Sequence, residues 1–236
     1  MTIILDGTNG ITSPGETLTD TQILAAGTTT IAPLKFQAGT NLTTATAGVM
    51  GYDGKVFYAT PQGTQRGVLP APQFFRLDSG LAGANATGAQ NMLGVGVTLS
   101  ASTVYAFEIV VALSKTAGTT SHTISLGFGG TASLNNIFWE FAGDYGVSQS
   151  FTAANFSSGY AASVTPVVTT NAITNATQYY WMVIKGTVSI NAGGTFIPQY
   201  SLSAAPGGAY TTVTGSNMSI YPIGAAGANT NVGTWA

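Results

Sequence analysis

Two kinds of residue on which catalytic and metal sites depend are almost missing from this sequence. It contains no cysteine and a single histidine, His122. Without cysteine the chain can form neither a disulfide bond nor a thiolate metal site. A metal site built on several imidazoles is also excluded, and a catalytic triad would have to use His122 itself. No GxSxG motif marks a nucleophilic serine for such a triad.

Charged side chains are scarce as well. Asp, Glu, Lys and Arg make up 6% of the residues, against roughly 25% in ordinary soluble domains. The net charge is −2 and the six basic residues are scattered, so the sequence does not indicate nucleic-acid binding. No charge follows Lys185. Because a soluble monomer normally needs surface charge, we expect the C-terminal surface to be partly buried between subunits and otherwise covered by Thr, Ser, Asn and Gly.

Long hydrophobic runs are also lacking. The mean hydropathy is +0.28, yet no apolar run approaches the roughly 20 residues of a membrane-spanning helix. The opening residues, MTIILDGTNG, have neither the basic start nor the apolar stretch of a signal peptide. We therefore predict a soluble protein that relies on association and does not insert into membranes.

What the sequence does contain is a long stretch with strand periodicity. Residues 104–113 place a large side chain at every second position, and residues 122–128 do the same after a turn-like segment, 115–119. The large residues that share a face are Tyr105, Phe107, Ile109, Val111 and Leu113 in the first strand and His122, Ile124, Leu126 and Phe128 in the second. Since both faces are largely uncharged, we predict a hairpin buried on both sides at the centre of the fold.

Strand-like segments separated by turn residues continue along the chain, which predicts an all-β protein. Residues 1–38 are interpreted as an extended N-terminal segment for attachment or intertwining, with an extended tail as the alternative. Residues 39–72 form a small β-hairpin unit around Asp53-Gly54, a dipeptide that suits a two-residue turn. We predict that residues 73–236 form an antiparallel β-sandwich, a jelly-roll-like knob.

Two residues predict local departures from regular strands in this last part. Gly186 marks a kink or bulge in a long strand over residues 179–190. Pro198 cannot donate to a ladder, so the strand over residues 195–203 lies at an edge or at a bulge.

The best candidate for a catalytic carboxylate pair is Glu140 with Asp144. These residues are four apart and lie close to Trp139, Phe141 and Tyr145, which resembles a sugar-cleaving site with an acid, a base and aromatic rings. The simpler interpretation, which we favour, is a strand end followed by an Asp-Tyr-Gly turn.

Other polar residues in apolar surroundings have simpler explanations. His122 falls on the apolar side of its strand, where a buried, hydrogen-bonded histidine is more common than a catalytic base. We expect Glu108 to pair with Lys115, Lys185 or a neighbouring subunit, because a lone buried carboxylate is costly. No glycine-rich phosphate loop and no acidic calcium-binding cluster is present. The sequence thus predicts no catalytic residues, no cofactor and no metal.

A group of aromatic residues suggests ligand binding instead. Residues 148–162 have loop-like spacing, and aromatic rings with amide neighbours can stack on sugars. The candidate ligand-contact residues are Trp139, Tyr145, Phe151, Phe156 and Tyr160. For each of them taken singly, the interpretation that we favour is a place in the hydrophobic core.

Three segments resemble structural proteins of tailed bacteriophages, of the tail-fibre or head-decoration type. They are the opening TIILDGTNGITSP, the segment GVMGYDGKVFYATPQGTQRGVLP, and GGTFIPQYSLSAAPGGAYTTVTGSNMSIYPIG near the end. The resemblance implies a virion location on the exterior of the particle, attachment to other virion proteins through residues 1–38, and a homotrimeric knob formed by residues 73–236.

The resemblance leaves three functions open. The first is a short trimeric fibre or knob for host attachment, with a host surface glycan as ligand. The second is a capsid decoration protein that stabilises the shell, which is favoured by the absence of a long repetitive shaft. The third, a polysaccharide depolymerase using Glu140 and Asp144, is the least favoured.

Overall fold

The computed structural model describes residues 26–63, 65–148, 156–168, 172–227, 229–233 and 235. The chain divides into two units, Met1–Gln37 and Ala38–Ala236. In the first unit, the described residues 26–37 contain no strand or helix. A turn there is held by Thr28, whose N–H donates to the carbonyl of Ile31 at 2.8 Å. The second unit contains the strands.

Sixteen β-strands and no helix are present among the described residues. The all-β prediction is confirmed, and every strand pair is antiparallel. The strands are β1 (Met50–Tyr52), β2 (Phe57–Gln62), β3 (Gln65–Leu69), β4 (Gln73–Arg76), β5 (Leu81–Ala82), β6 (Gln90–Asn91), β7 (Val97–Leu99), β8 (Thr103–Lys115), β9 (Ile124–Gly129), β10 (Ser133–Gly146), β11 (Phe156–Ala161), β12 (Val167–Val168), β13 (Gln178–Ala192), β14 (Gly194–Leu202), β15 (Thr211–Thr212) and β16 (Asn217–Ala225).

Strands β1, β2 and β3 form a separate three-stranded sheet. The predicted turn at Asp53 is confirmed, with Gly54 at a φ of 88°. The loop has four residues and not two, because the pair that closes the hairpin is Tyr52 with Phe57. The Asp53 carboxylate accepts the N–H groups of Lys55 and Val56 at 2.8 and 2.9 Å and so orders this longer loop.

The large sheet has eight strands and is built around β8. On one side of β8 the order is β13, β10 and β11. On its other side β8 pairs with β16 along residues 103–110 and with β15 at residues 113–114. Strand β4 extends the sheet beyond β16, and β5 extends it beyond β15. Both edges of β8 are therefore occupied by strands from the C-terminal half of the chain.

The second sheet has five strands, in the order β12, β9, β14 and β6, with β7 also pairing to β14. Strand β14 meets β7 through residues 194–196 and β6 through residues 199–200. Pro198 lies between these two ladders, and its carbonyl accepts the N–H of Met92 at 3.0 Å. Its missing N–H therefore breaks no ladder. Strand β14 has neighbours on both sides and pairs with β9 without a register shift, so the predicted edge or bulge at this strand is wrong.

The core lies where the two sheets face each other, which gives the unit a sandwich-like form. Phe128 of β9 lies 5.3 Å, between ring centroids, from both Phe107 of β8 and Trp139 of β10. It also stacks on Phe196 of the neighbouring strand at 4.6 Å. The five large side chains of β8 are all buried here. The opposite face of β8 is partly exposed and Glu108 is exposed, so the prediction of burial on both sides is wrong.

The predicted central hairpin is also wrong, because β8 and β9 belong to different sheets. The described connection, residues 116–123, crosses from the large sheet to the second sheet. Pairing between β8 and β9 would require an edge of β8, and both edges are occupied. Thirteen consecutive residue pairs join β8 to β13, a longer ladder than the six residues of β9 could provide. Local alternation identified both strands but not their partners.

Candidate binding face

The outward side of the large sheet carries exposed aromatic rings. Because side chains alternate along a strand, those next to the buried ones point away from the core. Four of them are large aromatic residues on neighbouring strands, here named the outer aromatic face: Phe138 and Trp181 with 52% and 40% exposure, and Phe156 and Tyr160 with 66% and 72%. Such exposure of large rings on one face is a reason to look for a binding role.

Two of these rings pack together as an exposed pair, here named the platform. Phe138 of β10 and Tyr160 of β11 stack with their centroids 5.8 Å apart and their planes at 28°. Tyr160 is paired with Glu140 in the ladder, and Phe138 lies two residues before Glu140 on the same strand. The two rings are thus diagonal neighbours on one face of the sheet, within reach of each other. Their apolar surface faces solvent.

A row of charges runs beside this platform. In the strand ladders, Glu140 of β10 lies opposite Lys185 of β13, and Lys185 lies opposite Glu108 of β8. The Lys185 Nζ atom lies 3.1 Å from Oε2 of Glu108. One of the partners predicted for Glu108 is therefore confirmed. Apolar rings and hydrogen-bonding charges lie side by side on this face.

The five aromatic residues singled out from the sequence fall in different places. Phe156 and Tyr160 are exposed on the outer aromatic face. Trp139 is fully buried and takes the core position that the sequence analysis favoured for each ring, with its Nε1–H donating to the carbonyl of Ser163 at 2.9 Å. Tyr145 is half-buried and lies edge-on to Tyr180. Phe151 lies outside the described residues.

The segment predicted as a loop over residues 148–162 contains a strand. Residues 156–161 form β11, which pairs with β10 over six positions. This strand places Phe156 and Tyr160 on one face, because they are four residues apart. Sequence reasoning missed Phe138 and Trp181, although the alternation of β10 around the buried Trp139 could have placed Phe138 on the outward side.

The carboxylate pair lacks catalytic geometry. Strand β10 continues through Gly146, so the turn predicted at Asp144 is wrong. Residues four apart on a strand are about 13 Å apart along the chain. Glycosidases hold their two carboxyl groups roughly 5–9.5 Å apart. Glu140 and Asp144 are therefore too distant to act as such a pair.

His122 is buried, as predicted, and it makes hydrogen bonds through both ring nitrogens. Its partners are the carbonyl oxygen of Thr120 and the hydroxyl of Tyr210. Among the described residues, no serine or carboxylate hydrogen-bonds to this ring. The structure thus supports a structural histidine and not a catalytic base.

Within the described ranges, no group of three or more His, Asp or Glu side chains is arranged to hold a metal ion. The same part of the chain has no helix long and apolar enough to cross a bilayer.

No family model matches the sequence, and no curated protein is similar to it. The outer aromatic face is therefore the candidate site, because it combines exposed rings with polar groups.

Proposed function

We propose that the protein is a structural protein of a bacteriophage particle, a short knob on the particle exterior that contacts host surface glycans through the outer aromatic face. The observation that carries this proposal is the exposed Phe138–Tyr160 stack beside Glu140 and Lys185. The virion location is supported by the three resembling segments. In this proposal the knob is a jelly-roll-like homotrimer, and residues 1–38 attach it to other virion proteins.

A sugar suits this face better than a protein partner does. The C–H side of a sugar ring can stack on aromatic rings, while its hydroxyl groups bond to carboxylates and ammonium groups. Lys, Glu and Asp are depleted at the cores of protein–protein interfaces. The outer face carries Glu140, Lys185 and Glu108 beside its rings, so a hydrated polar ligand is favoured over a subunit.

The proposed trimer uses a different surface. An apolar cleft of about 290 Å³ lies beside β4, and no charged residue lines it. Phe75 and Val95 in this cleft are exposed. An obligate interface is expected to bury more than about 2,000 Å² in total, and an uncharged surface is suited to such burial. Sedimentation equilibrium at several protein concentrations tests the trimer directly.

The glycan role is tested by binding of the purified protein to an array of bacterial surface polysaccharides, including lipopolysaccharide O-chains, capsular polysaccharides and teichoic acids. Binding that is lost in both Phe138→Ala and Tyr160→Ala supports the proposal. Trp235→Ala is the matched control, because Trp235 is an exposed ring outside the outer aromatic face. No binding of the wild-type protein, or equal binding by all variants, would refute it.

Capsid decoration is the second candidate, because the three segments resemble phage proteins of the head-decoration type as well as of the tail-fibre type. Labelled antibody and electron microscopy of intact particles separate the two. Label at the tail tip with few copies supports the attachment knob, whereas label over the head with hundreds of copies supports decoration. Decoration further predicts that particles lacking the protein break at lower temperature and still adsorb to the host. A depolymerase is not proposed, because Glu140 and Asp144 are too far apart.

A further inference from the structure

A second polar site lies in the interior, away from the proposed glycan-binding face. The side chain of Lys115, at the end of β8, is only 2% exposed. Its Nζ atom donates to backbone carbonyls of two segments. Two of these carbonyls belong to the 116–123 connection that follows β8: Gly118 at 2.8 Å and Ala117 at 3.4 Å. The other two, from the segment that precedes β13, are Ala176 at 3.3 Å and Asn175.

No carboxylate of the described residues forms an ion pair with this ammonium group. The ion pairs in the described part of the chain are Arg76 with Asp78 and Lys185 with Glu108. The groups that face Lys115 from neighbouring segments are uncharged or aromatic: the ring of Tyr210 has its centroid 5.9 Å from Nζ, and His122 is bonded to the same tyrosine. A buried charge normally requires a partner of opposite sign or full hydrogen bonding. Here the backbone carbonyls supply the hydrogen bonding.

The arrangement has more acceptors than donors. An ammonium group has three N–H donors, but four carbonyl oxygens surround this one. A spherical cation has no directional requirement and can use all the oxygens around it, as K⁺ does in cages of backbone carbonyls. The aromatic face of Tyr210 adds a further favourable contact for any cation within about 6 Å.

We propose that this carbonyl cage is a monovalent-cation site that the tethered ammonium group of Lys115 fills in the native protein. The cage joins the 116–123 connection, which carries the chain between the two sheets, to the segment that enters β13. A cation in it offsets the repulsion among converging carbonyl dipoles and so holds the two segments together. A tethered cation is present at a high effective concentration, so in this proposal the native fold requires no free ion at the cage.

The proposal predicts that free cations of the right size rescue a variant that lacks the ammonium group. Lys115→Ala should unfold at a lower temperature than the wild type in NaCl. Its unfolding midpoint should rise, with saturation, when KCl, NH₄Cl or butylammonium chloride replaces NaCl at equal ionic strength, because ligands that bind only the folded state stabilise it. The wild type and the surface variant Lys185→Ala should show no such cation preference.

Lys115→Met serves as the second control, because its side chain refills the space of the lysine stem without a charge. It should be insensitive to the choice of cation. If Lys115→Ala is poorly folded in NaCl, its refolding yield from urea is compared in the four salts, and a yield several-fold higher in KCl or NH₄Cl than in NaCl supports the cage. Unfolding midpoints or refolding yields of Lys115→Ala that are equal in all four salts would overturn the proposed cation site.

Discussion

His122 and Tyr210, 88 residues apart in sequence, are joined by a hydrogen bond of 2.9 Å between Nε2 and the phenolic oxygen. The carbonyl oxygen of Thr120 lies 2.7 Å from the other ring nitrogen. A carbonyl can only accept, so Nδ1 carries the proton. In the neutral ring Nε2 is then the acceptor, and the hydroxyl of Tyr210 donates to it. A hydroxyl can also accept from a protonated Nε2, so it is burial and the nearby charge of Lys115, and not this bond, that favour the uncharged imidazole.

The first prediction concerns acid stability. Burial and the nearby charge of Lys115 lower the pKa of His122 below its ordinary 6.5. On acidification the unfolded chain therefore binds a proton at His122 before the folded chain does. The contribution of neutral His122 to the free energy of unfolding should be complete above about pH 7. It should be lost as the pH drops through 6.5 towards the lower pKa of the folded state. Thermal unfolding between pH 7.5 and 5.0 measures this loss, and His122→Gln should flatten it. An equally steep pH dependence in that variant would contradict the assignment.

The second prediction isolates the hydroxyl of Tyr210. Tyr210→Phe keeps the ring beside Lys115 but leaves Nε2 of His122 without its donor, so we expect a loss of about 1–3 kcal/mol in the free energy of unfolding. Urea denaturation measures it. Tyr221→Phe, at a partly exposed tyrosine, is the control and should change stability by less than about 0.5 kcal/mol. Equal effects of the two substitutions would show that the buried hydrogen bond contributes little.

The third prediction separates a core ring from a surface ring. Trp139 is fully buried against Phe128, so Trp139→Ala should cost about 3–5 kcal/mol of stability. Tyr160→Ala removes a ring that is mostly exposed and should cost about 0.5 kcal/mol or less. Both are measured by urea denaturation. A large loss from Tyr160→Ala would mean that this ring supports the fold and would weaken its use as a probe of glycan binding.

The fourth prediction concerns Gly186, which was expected to kink its strand. Strand β13 runs through this position without interruption, paired with Trp139 on one side and Phe107 on the other. A Cβ atom at residue 186 would lie 2.7 Å from Cβ of Trp139. Gly186→Ala should therefore destabilise the fold by about 1–3 kcal/mol through overpacking. Gly67→Ala is the matched control, since a Cβ atom there meets no neighbour within 4 Å.

The fifth prediction addresses the ion pair on the outer face. Glu108 and Lys185 are both about half exposed, so their coupling should be only about 0.2–1 kcal/mol. A double-mutant cycle with Glu108→Gln and Lys185→Met measures it. The coupling should shrink further in 1 M NaCl because exposed charges are screened. A coupling above about 2 kcal/mol would indicate that the pair is more shielded from water than its exposure implies.

Much of the strand content could be predicted from residues close together in the chain. The alternation of β8 and β9 shows which of their side chains point inward, because successive residues on a strand face opposite sides. His122 could likewise be assigned to the interior from the apolar side chains that alternate with it. The scarcity of charge indicated a protein that relies on association, and the trimer remains a proposal.

The pairing of strands was decided only by the tertiary structure. Alternation is the same whether a strand pairs with its sequence neighbour or with one far along the chain, so it could not show that β8 and β9 lie in opposite sheets. The same limit applies to the sites. Phe138 and Tyr160 meet because β11 pairs with β10, and Lys115 finds its carbonyls where two distant segments converge. Local sequence determines which way a side chain points, whereas long-range ladders determine what it meets.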